Sequence, residues 1–205
     1  MRLHAIVPVK ALERAKSRLS GVLAPAERRL LVVEMLGRVL DTLARAPLAA
    51  VWVVSADPVV LALAQARGAR PLPEEAADLN GALEQARAAA RAAGAEAVAA
   101  LPADVPLLAV GDVAALAGLL AAGADAALAP DAAGRGTNAL ALLARAPLPF
   151  AFGEDSAARH LRTAAALGLV CRTYHSPTLA LDVDDPASLA RYRALTAAAA
   201  YRAAC

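Results

Sequence analysis

The sequence predicts an α/β fold, with a mainly parallel sheet, helices on both of its faces and one antiparallel hairpin element. Three observations lead there. Short β-rich runs alternate with longer stretches of helical periodicity. Prolines stand where helices should begin, at Pro25, Pro58 and Pro186, and glycines follow helix ends at Gly68 and Gly94. A glycine-bearing turn at 131–137 then sends the chain back on itself.

The elements follow in order. Residues 3–9 (LHAIVPV) form a buried first strand, and 10–23 form a polar, basic loop containing Gly21. From Pro25, the apolar spacing of Leu30, Leu31, Met35, Val39 and Leu43 marks a helix. Residues 51–55 (VWVVS) are a second buried strand, and 58–66 a helix closed by Gly68. An extended piece at 69–72 leads through Pro73 into a helix over 79–93. The strand at 96–101 ends in Pro102-Ala103-Asp104, and 110–122 is helical. Residues 125–129 are extended, the turn follows, and 138–143 return as a strand. A helix at 155–167, a strand at 169–173, an extended piece at 179–183 and a last helix from Pro186 complete the chain. With no linker, repeat or low-complexity tract beyond an alanine bias, residues 1–205 are expected to form a single domain.

Composition excludes several classes of function. The chain is 59% hydrophobic, yet much of that is alanine, and no run approaches the length a membrane helix needs. The apolar run at 3–9 is short and leads straight into charge, unlike a secretory signal, so the expected compartment is the cytoplasm. A net charge of +2 with both signs scattered, and only 3% aromatics, disfavours a nucleic-acid reader. Cys171 and Cys205 lie too far apart in sequence to suggest a zinc site or a disulfide framework. Of the 21 basic residues only Lys10 and Lys16 are lysine, and both fall in the first loop. A compact ammonium there suits a phosphate contact.

In open α/β sheets, ligands bind beyond the carboxyl ends of the strands. Four stretches qualify. The loop Lys10-Ala-Leu-Glu-Arg-Ala-Lys16-Ser-Arg18 concentrates cations beside backbone amides and could hold a triphosphate. Leu101-Pro-Ala-Asp104-Val-Pro106 fixes a carboxylate between prolines, as a magnesium ligand requires. In Leu181-Asp182-Val-Asp184-Asp185-Pro186, strand alternation would put Asp182 and Asp184 on one side. Gly134-Arg135-Gly136-Thr137-Asn138, with Phe152-Gly153-Glu-Asp155-Ser156 after it, offers amides and donors to an anion. Taken singly, each stretch also fits a plainer role as a solvated loop, turn or helix cap.

Together they resemble the guanylyltransferases of coenzyme F420 biosynthesis. The resemblance rests on Val7-Pro-Val-Lys10 with Ala15-Lys16-Ser-Arg18-Leu19, and on Asp78-Leu79-Asn80 with Ala82-Leu83. It continues through the Asp104 stretch, Gly136-Thr137-Asn138-Ala-Leu140, Phe152-Gly153 with Ser156 and His160, and the Asp182–Pro186 stretch. It implies a Rossmann-like nucleotidyltransferase (GT-A-like) three-layer fold that joins GTP to phosphoenolpyruvate, 2-phospho-L-lactate or 3-phospho-D-glycerate. By that similarity Lys10, Lys16 and Arg18 face the triphosphate, and Asp78, Leu79, Asn80 and Gly81 lie near the guanosine. Thr137, Gly153 and Ser156, with Arg135 and Asn138, take the acid. Asp104 and either Asp182 or Asp184 hold Mg2+. Phosphoenolpyruvate is favoured as the usual acceptor of bacterial relatives, and the product would pass to the next enzyme of the F420 pathway. Two other classes stay open: a nucleotide-sugar glycosyltransferase and a non-catalytic GTP-binding module. Whether the chain forms a homo-oligomer stays open as well.

Overall fold

The computed structural model describes residues 1–13 and 15–204; Arg14 and Cys205, both part of the sequence reading, lie outside the described residues. The strands are β1 (Leu3–Pro8), β2 (Ala50–Ser55), β3 (Arg70–Pro73), β4 (Ala97–Ala100), β5 (Ala126–Pro130), β6 (Thr137–Leu143) and β7 (Cys171–Thr173). The helices are α1 (Pro25–Leu43), α2 (Pro58–Ala66), α3 (Leu79–Ala92), α4 (Val110–Ala121), α5 (Ser156–Ala166) and α6 (Pro186–Ala204). One seven-stranded sheet runs in the order β3-β2-β1-β4-β6-β5-β7. It is parallel except that β6 opposes both of its neighbours, β4 and β5. The expected hairpin is therefore present.

Several helices start where side chains or proline compensate for unpaired amides. Pro25 begins α1, and the Ala24 amide donates to the Glu27 carboxylate at 2.7 Å. Asp57 caps α2 by accepting from the Val59 amide, and Asp78 caps α3 by accepting from the Gly81 amide at 2.8 Å. Residues 10–13 and 15–23 are a loop as expected, tightened by one turn of 3-10 helix at Ser17–Leu19.

Alternation along the strands divides the core between two faces. In β1, Leu3, Ala5 and Val7 pack with Leu36 and Leu43 of α1 and Leu116 of α4. Ile6 points the other way, toward Leu83 and Ala86 of α3. Val60 of α2 and Tyr192 of α6 join the first face, and Ala157 and Ala164 of α5 join the second.

One expectation needs correction. The segment 179–183 is not a strand: the Ala180 amide donates back to the Ser176 carbonyl, and the chain turns there. Strand alternation therefore cannot be what orients Asp182 and Asp184. A main-chain hydrogen bond from the Val183 amide to the Asp104 carbonyl, 2.9 Å long, docks the segment against the end of β4.

Leu36 is fully buried where α1 meets the sheet. Leu36→Ala is expected to lower unfolding free energy by about 2–5 kcal/mol in urea denaturation, through lost burial and the cavity left behind.

Candidate active site

A cleft of about 1460 Å3 opens along the carboxyl edge of the sheet. The parallel strands β1 and β4 deliver their following loops to this edge, bringing Lys10, Lys16 and Arg18 from one and Asp104 from the other. Because β6 runs backwards, its first residues, Thr137 and Asn138, emerge at the same edge. The chain of β5 and β6 thus returns to the cleft at the place where a parallel strand would have left it. Residues 152–156, ahead of α5, close the far wall.

The carboxylates come from distant parts of the chain. Lys16 Nζ donates to Asp104 Oδ2 at 2.7 Å and to Asp184 Oδ1 at 3.3 Å, and Arg18 Nη1 donates to Asp184 Oδ2 at 2.7 Å. A single ammonium touching both places the Asp104 and Asp184 oxygens within about 6 Å of each other. Lys16 adopts a left-handed backbone conformation (φ 55°) to deliver that ammonium, and its side chain is only 8% exposed. Asp182 is held differently, accepting from Asn138 Nδ2 at 3.3 Å. Burial, and then the charge of Asp104, push its carboxyl above the usual aspartate range. Among the described residues it has no cationic partner within 4.0 Å. Asp185 instead caps α6, accepting from the Ser188 amide at 2.8 Å, which holds its carboxyl below the usual range.

The expected triphosphate contacts are thus differently disposed. Lys10 is exposed on the cleft. Lys16 is engaged with carboxylates, because two acidic groups this close repel unless a cation stands between them. Arg18 lies at the rim, 76% exposed. On the expected guanosine side, Asp78 and Leu79 line the cleft, whereas Asn80 and Gly81 do not. Asn80 is a brace: its Nδ2 donates to the Phe152 carbonyl at 3.2 Å, and its Oδ1 accepts from the Phe152 amide at 2.8 Å.

The expected acid-binding residues converge on the opposite wall. Arg135, Thr137, Asn138, Gly153 and Ser156 all line it. Two of its glycines are demanded by geometry. A Cβ on Gly136 would fall 2.7 Å from Asp131 Oδ2, and Gly153 sits at φ 126°. Asp155, at φ 49°, adds a second strained residue beside the cleft. Behind this wall lies a residue to which the sequence assigned no role. His160 is fully buried, accepts from the Ala151 amide at 2.9 Å through Nε2, and meets Thr137 Oγ1 at 3.1 Å through Nδ1. Its position four residues after Ser156, on the inward face of α5, was the available signal.

Among the described residues, no three His, Cys, Asp or Glu side chains form a group that could by itself hold a metal ion. The donor set nevertheless suits magnesium, which is commonly held by one or two carboxylates together with substrate phosphates. Lys16 already occupies the cationic position between two of these carboxylates.

An α/β sheet with nucleotide-sized space at its carboxyl edge, acidic groups at its centre and loops bearing cations, amides and hydroxyls around them defines a nucleotidyltransferase-like site. Solved structures share the fold. A nucleotidyl transferase from Methanothermobacter thermautotroptrophicus superposes with a TM-score of 0.67 at 17% identity, covering 94% of this chain and 96% of that one. CMP:2-keto-3-deoxy-manno-octonic acid synthetase gives 0.65 at 18% identity, covering 96% and 99%. More specifically, residues 3–192 match the family described as Guanylyl transferase CofC like, and the chain belongs to that family. It is 48% identical to the phosphoenolpyruvate guanylyltransferase of Chloroflexus aggregans, over 91% of this chain and 94% of that protein. It is 46% identical to the protein of the same name from Rubrobacter xylanophilus, over 95% of each chain. The chain is thus a nucleotidyltransferase, and none of its described helices is long and apolar enough to cross a membrane.

Burial, assisted by the charge of Arg159, lowers the His160 pKa to about 4, and a hydrogen bond with the Ser156 backbone only partly offsets this. Between pH 6.5 and 4 the unfolded chain binds a proton at this histidine that the folded chain does not, so stability falls as pH drops through that interval. The loss is of the order of ~3 kcal/mol. Thermal melts of wild type and His160→Gln across this range should show a shallower acid decline in the variant.

Proposed function

We propose that this enzyme condenses GTP with phosphoenolpyruvate, giving enolpyruvyl-diphospho-guanosine and pyrophosphate, with residues 1–205 acting as one nucleotidyltransferase domain. The observation that carries this reading is the meeting of Asp104, Asp182, Asp184 and Lys16 with the Thr137–Ser156 wall around a single cleft. The phosphoenolpyruvate guanylyltransferases among its relatives favour phosphoenolpyruvate as the acid.

A phosphate oxygen of the acid attacks the α-phosphorus of GTP in line; the new P–O bond forms as the bond to pyrophosphate breaks. The attacking oxygen is already anionic near neutral pH, so no side-chain base is needed. The chief barrier is repulsion between two polyanions. Lys10, Lys16 and Arg18 offset negative charge on the triphosphate, and Asp78 and Leu79 border the guanosine, with Asn80 and Gly81 behind them. Thr137, Gly153 and Ser156, with Arg135 and Asn138, bind and orient the acid. Asp104, with Asp182 or Asp184, would hold magnesium, which neutralises phosphate charge and polarises the phosphoryl group when bound. Catalysis is then positioning and electrostatics.

The test is incubation with GTP, magnesium and each of phosphoenolpyruvate, 2-phospho-L-lactate and 3-phospho-D-glycerate, with pyrophosphate measured and products identified by mass. The phosphoenolpyruvate adduct is expected to dominate. Preference for another acid would reassign the acceptor, and no pyrophosphate with any of them would sink the reading. Asp104→Asn should lower kcat/KM by at least about 100-fold while circular dichroism stays native, because a ligand and a charge are lost without loss of packing.

A further inference from the structure

His160 touches no open part of the cleft, yet its two ring nitrogens carry information about a group that does. The Ala151 amide can only donate, so Nε2, 2.9 Å away, must present a lone pair. A neutral imidazole then carries its proton on Nδ1. The burial that keeps this ring neutral fixes the assignment across the physiological range. Nδ1 lies 3.1 Å from Thr137 Oγ1 and shares its proton between that oxygen and the Ser156 backbone carbonyl, so the hydroxyl oxygen faces a donor and accepts. Its own proton cannot return to the ring. Thr137 lines the cleft, and among the described residues its hydroxyl has no other hydrogen-bond partner.

We propose that His160 is a positioning residue that presets the Thr137 hydroxyl as a donor aimed into the cleft, selecting an anionic oxygen of the acid substrate. This rests on the reading that the acid sits against Thr137. Three further features hold the ring in place. Phe152 packs edge-on against it at 5.4 Å between centroids, and Asn80 pins the Phe152 backbone with two hydrogen bonds. His160 and Ser156 also share the buried face of α5, so the ring and the wall it supports move as one piece. A freely rotating hydroxyl has to be ordered when it turns its proton to an anion. A preset one offers only the proton, and the ordering is complete before substrate arrives.

Two substitutions separate the nitrogens. In His160→Gln the side-chain amide reaches the Nε2 position and still accepts from Ala151, but the donor to Thr137 is gone. In His160→Asn the amide lies near the Nδ1 position and restores that donor. The expected result is that H160Q raises KM for the acid about tenfold, the worth of one preset hydrogen bond, with KM for GTP little changed. H160N should recover most of this. On a Thr137→Val background, H160Q should add no further loss, because the group it orients is absent. An equal loss in H160Q and H160N, or an undiminished loss on the T137V background, would overturn the proposal in favour of a packing role.

Long-range proton–nitrogen NMR of the wild-type ring provides a readout independent of turnover. Nδ1 should appear protonated and Nε2 bare; the reverse tautomer overturns the proposal even if the enzyme is fully active. Conversely, the expected tautomer in a wild type that makes no product from GTP and any of the acids would sink the functional reading instead, and with it the proposed contact to substrate.

Discussion

The site is organised by charge compensation between groups that the chain brings together from far apart. Asp104, Asp184 and Lys16 lie on three different segments, and each would be costly alone at a half-buried sheet edge. Together they form one network, completed outward by Arg18 and tied to the backbone through Val183 and Asp104. The strained backbone at Lys16 is the local cost of that arrangement. Cleft shape, loop course and the docking of the C-terminal segment all follow from where these charges meet.

The sheet makes this meeting possible. In a wholly parallel sheet the residues that begin a strand lie at the edge opposite the ligand. Reversal of β6 brings Thr137 and Asn138 to the productive edge, beside the loop that follows β4. The strands β4 and β5 are rich in alanine, and on one face the larger buried side chains come from α1 and α4.

Local signals carried much of this into the sequence. Pro25, Pro58 and Pro186 mark helix starts through chemistry that acts over a few residues, and the helices begin there. The turn before Thr137 was legible because its glycines serve a purpose within the turn itself. What was not legible depends on contacts across the fold. Residues 179–183 look extended, since nothing local reveals that Val183 will pair with Asp104. Asn80 reads as a ligand-side amide, but its partner, Phe152, lies 72 residues away. That Lys16 also pairs with two aspartates was not legible, because both are likewise remote. His160 could be placed in a motif, but its tautomer depends on a main-chain amide that no spacing rule connects to it.

The brace between Asn80 and Phe152 also bears on how the cleft can work. Paired hydrogen bonds join the first turn of α3 to the approach to α5, so the two banks are fastened at one end. Any hinged opening between those two elements would have to break both hydrogen bonds, a tie that the basic segment after β1 does not share.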